Sequence, residues 1–370
     1  MDTKDKDSEL ASPGVMFPDS SMSPLIFEEG VAVNGAEAPR QVQVLPPGQQ
    51  SQKSPTPLQD SLRRLRRDKR AMLSLGIIVL FVLIPLFGPI IYQHIGGTYI
   101  SPINGAIGPS KYHNPFWTEL TNQDQLPSSM YWLGTDGIGR DLLARLMQGM
   151  LVSLAVVIMV EIIDIGLGVL VGVLAGFFGG WIDQLLARFT DLMFAFPGLL
   201  FAILLTGIFG TSADDVFSHI PIIGPNGNAR LVLVSIALAI TIWPLMARYV
   251  RGQTLQLKEQ QFVEAARTAG TTNVRIMWRH IIPNLFSIVV VAATLDMSAT
   301  IIGEAGLSFL GLGVQAPGSS IGLMISDAAT AIAVHPWEVI VPAAALTVIV
   351  LAFSFLGDGL RDAFDPRSKD

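Results

Sequence analysis

Residues 149–177 read GMLVSLAVVIMVEIIDIGLGVLVGVLAGF. A run this long and apolar exceeds the roughly 20 residues an α-helix needs to cross the hydrocarbon of a bilayer, so it predicts a membrane span. Gly168, Gly172 and Gly176 recur at every fourth position, and a helix gathers them into one smooth stripe. Such a stripe lets another helix approach closely. In lipid that matters, because hydrophobicity alone gives apolar helices no drive to associate. Glu161 and Asp164 lie on the stripe's side, since 161, 164, 168 and 172 follow in steps of three and four. An acid near the midplane costs on the order of 3 kcal/mol even on lenient insertion scales. The pair is therefore expected to face protein or a water-filled path.

Working outward, further apolar runs of spanning length stand at about 72–93, 190–210, 230–248, 283–302 and 339–357. Together with 149–177 they predict an all-α integral membrane protein with six transmembrane helices. The composition agrees: 50 % of the 370 residues are hydrophobic and 15 % charged, where a soluble domain carries about 25 % charge. The net charge of −6 hides how the bases are placed. With the N-terminus inside, sixteen Lys and Arg flank the spans on the cytoplasmic side, and four (Lys111, Arg140, Arg145, Arg230) lie on the other. By the positive-inside rule both termini are cytoplasmic in a multi-pass protein of the cell membrane. Asp296, near the middle of the fifth span, invites the same argument as Glu161 and Asp164. A translocation path, polar packing against a partner subunit and a proton relay are the readings open to these acids. The relay belongs to ion-coupled secondary transporters, which commonly show internal repeats; none is visible here.

Residues 1–55 are rich in Pro, Ser, Gln and acids and are expected to be a disordered cytoplasmic tail. No apolar h-region falls in the first thirty residues, so no cleavable signal is expected. Thr56-Pro57-Leu58-Gln59 has capping-box form with Pro at the first helical position. It opens a basic amphipathic helix over 56–71, in which Leu58, Leu62, Leu65 and Met72 recur at helical spacing among six Arg and Lys. Such a helix lies on an anionic leaflet. Because it runs straight into a span, a nucleic-acid partner is not expected. The transmembrane domain then fills 72–370. With no cysteine, disulfides, thiol catalysis and thiolate metal sites are excluded. His94, His113, His219, His280 and His335 are scattered without metal-ligand spacing, and no G-x-x-x-x-G-K-S/T cradle for ATP is present.

Two outer segments look ordered. In Leu133-Gly134-Thr135-Asp136-Gly137-Ile138-Gly139-Arg140-Asp141, Thr135 and Asp136 suit an N-cap and the glycines a tight turn. A helix from about 138 is expected, with Asp136/Arg140 and Asp141/Arg145 paired at i,i+4. The stretch 303–313, GEAGLSFLGLG, is too short and glycine-broken to span again. A re-entrant or gate-like segment buried in protein is expected, and its Glu304 and Ser308 join the candidate path residues.

Between the fourth and fifth spans, about 258–282, the sequence predicts helix, glycine stop, helix. Residues 258–269 are good helix formers, Gly270 suits a left-handed C′ position, and Thr271 or Thr272 can cap the next helix. Pro283 then starts the fifth span where a missing N–H is tolerated. Phe262, Ala265, Ala266 and Ala269 form a stripe that fits either an ordinary amphipathic loop or an element docking into a partner's groove.

The residues Glu264, Ala265, Ala266, Gly270, His280, Ile281, Pro283 and Asn284 form a pattern similar to the coupling loop of binding-protein-dependent ABC importer permeases. The runs Leu133 to Asp141, Glu304 to Gly313 and Leu356 to Arg367 resemble the C-type permease of dipeptide, oligopeptide and nickel importers. The resemblance covers about residue 60 to the C-terminus. It implies a type I ABC importer permease architecture and half of a pathway for peptides, with nickel or another small solute as the alternative cargo. It further implies a second homologous permease, two ATP-binding-cassette ATPase subunits that bind the ATP and Mg, an extracytoplasmic substrate-binding protein, and no cofactor in this chain. The acids Glu161, Asp164 and Asp296, the long tail, and Ile321 where the family often has tryptophan depart from the pattern.

Overall fold

A computed structural model of the protein describes residues 57–95, 99–100, 107–108, 113–219 and 229–365. The tail at 1–55, Thr56, Lys111, Pro366 and Arg367 lie outside them. Helix α1 (Pro57–Arg67) opens on the proline expected to lead it. It stops before Asp68, whose Oδ1 accepts from the backbone N–H groups of Arg70 at 2.8 Å and Ala71 at 3.4 Å. An aspartate in that role starts a new helix, so the basic helix ends at Arg67 rather than continuing to 71, and α2 (Lys69–Ile95) comes next. A short antiparallel ladder pairs β1 (Tyr99–Ile100) with β2 (Ile107–Gly108). The remaining elements are α3 (Leu142–Phe178), α4 (Gly180–Phe194), α5 (Gly198–Phe217), α6 (Arg230–Leu257), α7 (Gln261–Thr268), α8 (Asn273–Ile276), α9 (Ile282–Phe309), α10 (Ile321–Ala328) and α11 (Pro336–Phe364).

Among the described residues, six helical stretches are long and apolar enough to cross a membrane: α2, α3, α5, α6, the continuous run Asn273–Phe309, and α11. Their outer faces carry exposed Leu80, Phe87, Ile90, Leu170, Leu200 and Ile208, a surface suited to lipid or to another subunit. Helix α3 is the axis. At 1.5 Å per residue it is roughly 55 Å long, well beyond the hydrocarbon, and it packs against α6 along its length and against α9, α2 and α10. The glycine stripe is what allows this. A Cβ at Gly172 would stand 2.6 Å from the Ala247 carbonyl oxygen and 2.7 Å from Val250 Cβ, and one at Gly176 would stand 2.7 Å from Thr254. The close neighbour is thus α6 of the same chain. On the other side of the bundle α11 packs against α2 and α9, and a Cβ at Gly359 would meet Ala71 at 2.5 Å.

Three expectations about element boundaries are corrected. The third span is not 190–210: Pro197 separates α4 from α5, because proline lacks the N–H and disfavours helix in the residue before it. Helix α4, bearing Asp183, Gln184, Arg188 and Asp191, is too short to span. Helix α3 does not begin near 138; Asp141 is its N-cap, with Oδ1 accepting from Leu143 N–H at 2.8 Å and Ala144 N–H at 3.1 Å. Nor does a re-entrant segment begin at 303. Helix α9 continues through Gly303 and Gly306 to Phe309, and turns at Gly311 with φ 74°. Gly303 stays helical because its bare face accommodates Leu238 of α6, whose Cδ2 would lie 3.0 Å from a Cβ there. The short buried helix after the turn is α10, capped by Ser320.

Candidate docking elbow and intramembrane cavity

The segment between α6 and α9 is an elbow whose back is fixed and whose front is free. Helix α7 ends in a Schellman turn. Thr271 N–H donates to Ala266 O at 3.0 Å and Gly270 N–H to Arg267 O at 2.9 Å, with Gly270 at φ 74°. Thr272 stands in the N-cap conformation of α8 but makes no side-chain cap. Fully buried Val263, Ile276 and Ile281 plug into Val173, Phe177, Met246 and Val250 of α3 and α6. Arg267 lies over the Phe177 ring, 5.4 Å from its centroid. The front presents Phe262, Glu264, Ala265, Ala269 and Gly270, all exposed. Ala266 turns partly into the core beside Val263 rather than joining that face. The Glu264 carboxylate has no partner among the described residues.

The His280–Asn284 end is tied by a different device. Pro283 stands in the first turn of α9, as expected, but the chain enters it already helical: the apolar stretch runs Asn273–Phe309, with a π-turn over Met277–Ile281 just before the proline. In a regular helix the ring would strike the carbonyl four residues back, and the π-turn re-registers the chain around it. Asn284 Nδ2 donates to the His280 carbonyl at 2.6 Å, and the His280 ring lies 6.3 Å from that of Phe262. The two halves of the elbow therefore touch through His280 and Phe262.

Helix α4 is clamped beside it. Arg251 of α6 pairs with Asp183 at 2.5 Å and Arg248 with Asp191 at 2.9 Å. The hydrogen bond from Arg251 holds the Asp183 carboxyl below the usual carboxylate range.

From the elbow end a cavity of about 650 Å³ runs between α6, α9 and α11, lined by Gln253, Gln256, Asn284, Arg361 and, deepest along α9, Asp296. Asp296, Glu161 and Asp164 are buried. Both carboxylate oxygens of Glu161 and Asp164, and Oδ2 of Asp296, lack a hydrogen-bond partner among the described residues. Asp296 alone of the three borders the cavity. Glu304 and Ser308 sit deeper and face the chain's interior. Ser153 of α3 donates to Glu304 Oε2 at 2.8 Å and Ser308 to Oε1 at 2.7 Å. This network joins α3 and α9.

At the opposite end, Asp136 accepts from Arg140 Nε at 2.8 Å and Arg145 Nη1 at 2.6 Å, and both arginines reach Asp327 of α10. The pair Asp136/Arg140 forms as expected, but Asp141/Arg145 does not. Asp141 Oδ2 instead accepts from Tyr92 Oη at 2.8 Å and lies 2.8 Å from His113 Nδ1. The sequence left His113 unassigned, because its partners stand far away in the chain.

Residues 168–370 match the model of the family of binding-protein-dependent transport system inner membrane components, and residues 56–102 that of the N-terminal transmembrane domain of oligopeptide transport permease C. An oligopeptide transport system permease protein of Bacillus subtilis is 37 % identical over 317 residues, covering 86 % of this chain and 92 % of its own. A dipeptide transport system permease protein of Alkalihalophilus pseudofirmus is 35 % identical over 324 residues, 88 % of this chain and 94 % of its own. A glutathione transport system permease protein of Escherichia coli O157:H7 is 36 % identical over 314 residues, 85 % of this chain and 92 % of its own.

Proposed function

The chain belongs to the family of binding-protein-dependent transport system inner membrane components, and from that premise we propose how its parts work. It is a permease subunit of a peptide ABC importer, a transport subunit in the cell membrane. It leaves ATP binding and hydrolysis to two separate ATPase subunits, pairs with a second homologous permease, and receives peptide from an extracytoplasmic binding protein. Both termini and the elbow are cytoplasmic, as the basic residues flanking the spans support.

The observation that carries this reading is the two-faced elbow. Val263, Ile276 and Ile281 lock its back into α3 and α6, while Phe262, Glu264, Ala265 and Ala269 are exposed in front. A rigid lever with an exposed apolar and acidic tip suits insertion into a groove on an ATPase. When the ATPases close on ATP, a displacement of the tip reaches α3, α6 and α9 through that packed core. The cavity ending at Asp296 is this chain's share of the path on the elbow side, and the Glu304 network closes the bundle beyond it. Co-purification from native membranes in mild detergent tests the assignment. A second permease and P-loop ATPases should accompany the chain. A chain recovered alone that transports without nucleotide would refute it.

A further inference from the structure

At the end of the bundle away from the elbow, three ligating side chains converge outside the elbow and the cavity described above. Asp124 comes from the loop before α3, His335 stands at the N-cap of α11, and Glu338 lies one turn into it. One ligating atom from each lies within 4.8 Å of the other two. His335 Nδ1 is 3.4 Å from Asp124 Oδ1 and 3.7 Å from Glu338 Oε1. Those separations are too long for charge-assisted hydrogen bonds, which run at about 2.7–2.9 Å. They do fit the edges of a coordination polyhedron: two ligands each about 2.0–2.1 Å from a tetrahedral ion stand roughly 3.3 Å apart.

Two further observations point to a cation. All three atoms are shielded from solvent yet make no hydrogen bond among the described residues, and the Glu338 side chain is only 2 % exposed. A buried carboxylate oxygen aimed at two other ligating atoms with nothing between them is costly unless something binds there. The two carboxyls also crowd one site. Arg140 and Arg145 pair with Asp136 and Asp327, and neither forms an ion pair with Asp124 or Glu338 among the described residues.

We propose that Asp124, His335 and Glu338 form a binding site for one divalent transition-metal ion of the zinc type. One imidazole nitrogen and two carboxylate oxygens make a mixed donor set that suits zinc rather than magnesium. His335 and Asp124 are partly exposed and leave a side for entry and for a water as fourth ligand, while Glu338 forms the floor. Bound there, the ion staples the loop before α3 to the start of α11 and holds the outer end of the bundle together. The site stands independently of what is transported.

The test uses the full chain in detergent, stripped with chelator and dialysed against zinc or, separately, magnesium. The expected result is one zinc per chain by elemental analysis, no magnesium, and a higher thermal unfolding midpoint with zinc. His335→Ala should weaken zinc binding at least tenfold and remove the thermal shift, whereas His219→Ala, at an exposed histidine elsewhere, should change neither. Asp124→Asn provides a second variant, since Asn accepts the backbone φ of 51° found at this position. It should also lose zinc while keeping the elution profile of the parent. No zinc above the magnesium control, or equal zinc in His335→Ala and Asp124→Asn, would overturn the site.

Discussion

Gly270 isolates backbone conformation from contact. Its φ is 74°, and a Cβ there would meet nothing within 4 Å. Any loss on substitution in the chain itself therefore comes from holding an L-residue in the left-handed region, not from a clash. For alanine that costs about 1–2 kcal/mol, which lowers the population of the native turn about 5–30-fold against its alternatives. Valine, β-branched, is worse, whereas asparagine visits this region readily. The Schellman bonds of Thr271 and Gly270 are lost when the turn opens, and the tip then no longer moves as one body with Val263 and Ile276. In proteoliposomes holding the complete importer, ATP-driven peptide uptake should fall in the order Gly270, Asn, Ala, Val. ATP hydrolysis should fall less than uptake, the mark of uncoupling. Full uptake with Gly270→Val would refute the reasoning. So would an Asn variant as impaired as the Val variant, because that would place the effect in a contact rather than in φ.

Other substitutions probe the scaffold. Gly172→Leu should drive α3 from α6, because its Cβ would meet the immovable Ala247 carbonyl; a loss of folded, monodisperse protein beyond the roughly 1–3 kcal/mol usual for overpacking is expected. Gly166→Ala, with open space around it, should fold normally in the same size-exclusion assay. Glu304→Ala strands the hydroxyls of Ser153 and Ser308 at about 1–3 kcal/mol per unsatisfied group, so its thermal midpoint should drop well below that of Glu304→Gln. Arg145→Leu removes one cation from a buried ion-pair cluster. By analogy with broken buried pairs it should cost about 3–5 kcal/mol, read as a lower midpoint and greater protease sensitivity in the 113–141 loop.

The spans were legible where one signal dominated. The apolar run with glycines every fourth residue announced both a membrane helix and its close neighbour, and Gly270 announced a left-handed turn. Reading failed where tertiary partners decided the outcome. Residues 190–196 look apolar enough to belong to a span, yet Pro197 and the clamps from Arg248 and Arg251 make them the end of a separate amphipathic helix. Gly303 and Gly306 suggested a break, but Leu238 of α6 fills the space a side chain would need, so the helix persists. Pro283 marked the start of α9, but the π-turn over Met277–Ile281 that leads into it was not visible in the chain. The cluster at His335 was not legible: the histidines are scattered in the chain, and Asp124 is brought beside His335 and Glu338 only by the fold.

The most direct test of the docking face uses the absence of native cysteines. A single cysteine at exposed Ala269, on the front of the elbow, and another at exposed Trp132, at the opposite end, would each be treated with a short bifunctional cross-linker in the assembled importer. Cross-linking of Ala269→Cys to the ATPase subunit, changing with ATP, and none from Trp132→Cys is the predicted result. Failure at Ala269 with an ATPase adduct at Trp132 would contradict the assignment of the elbow as the coupling surface.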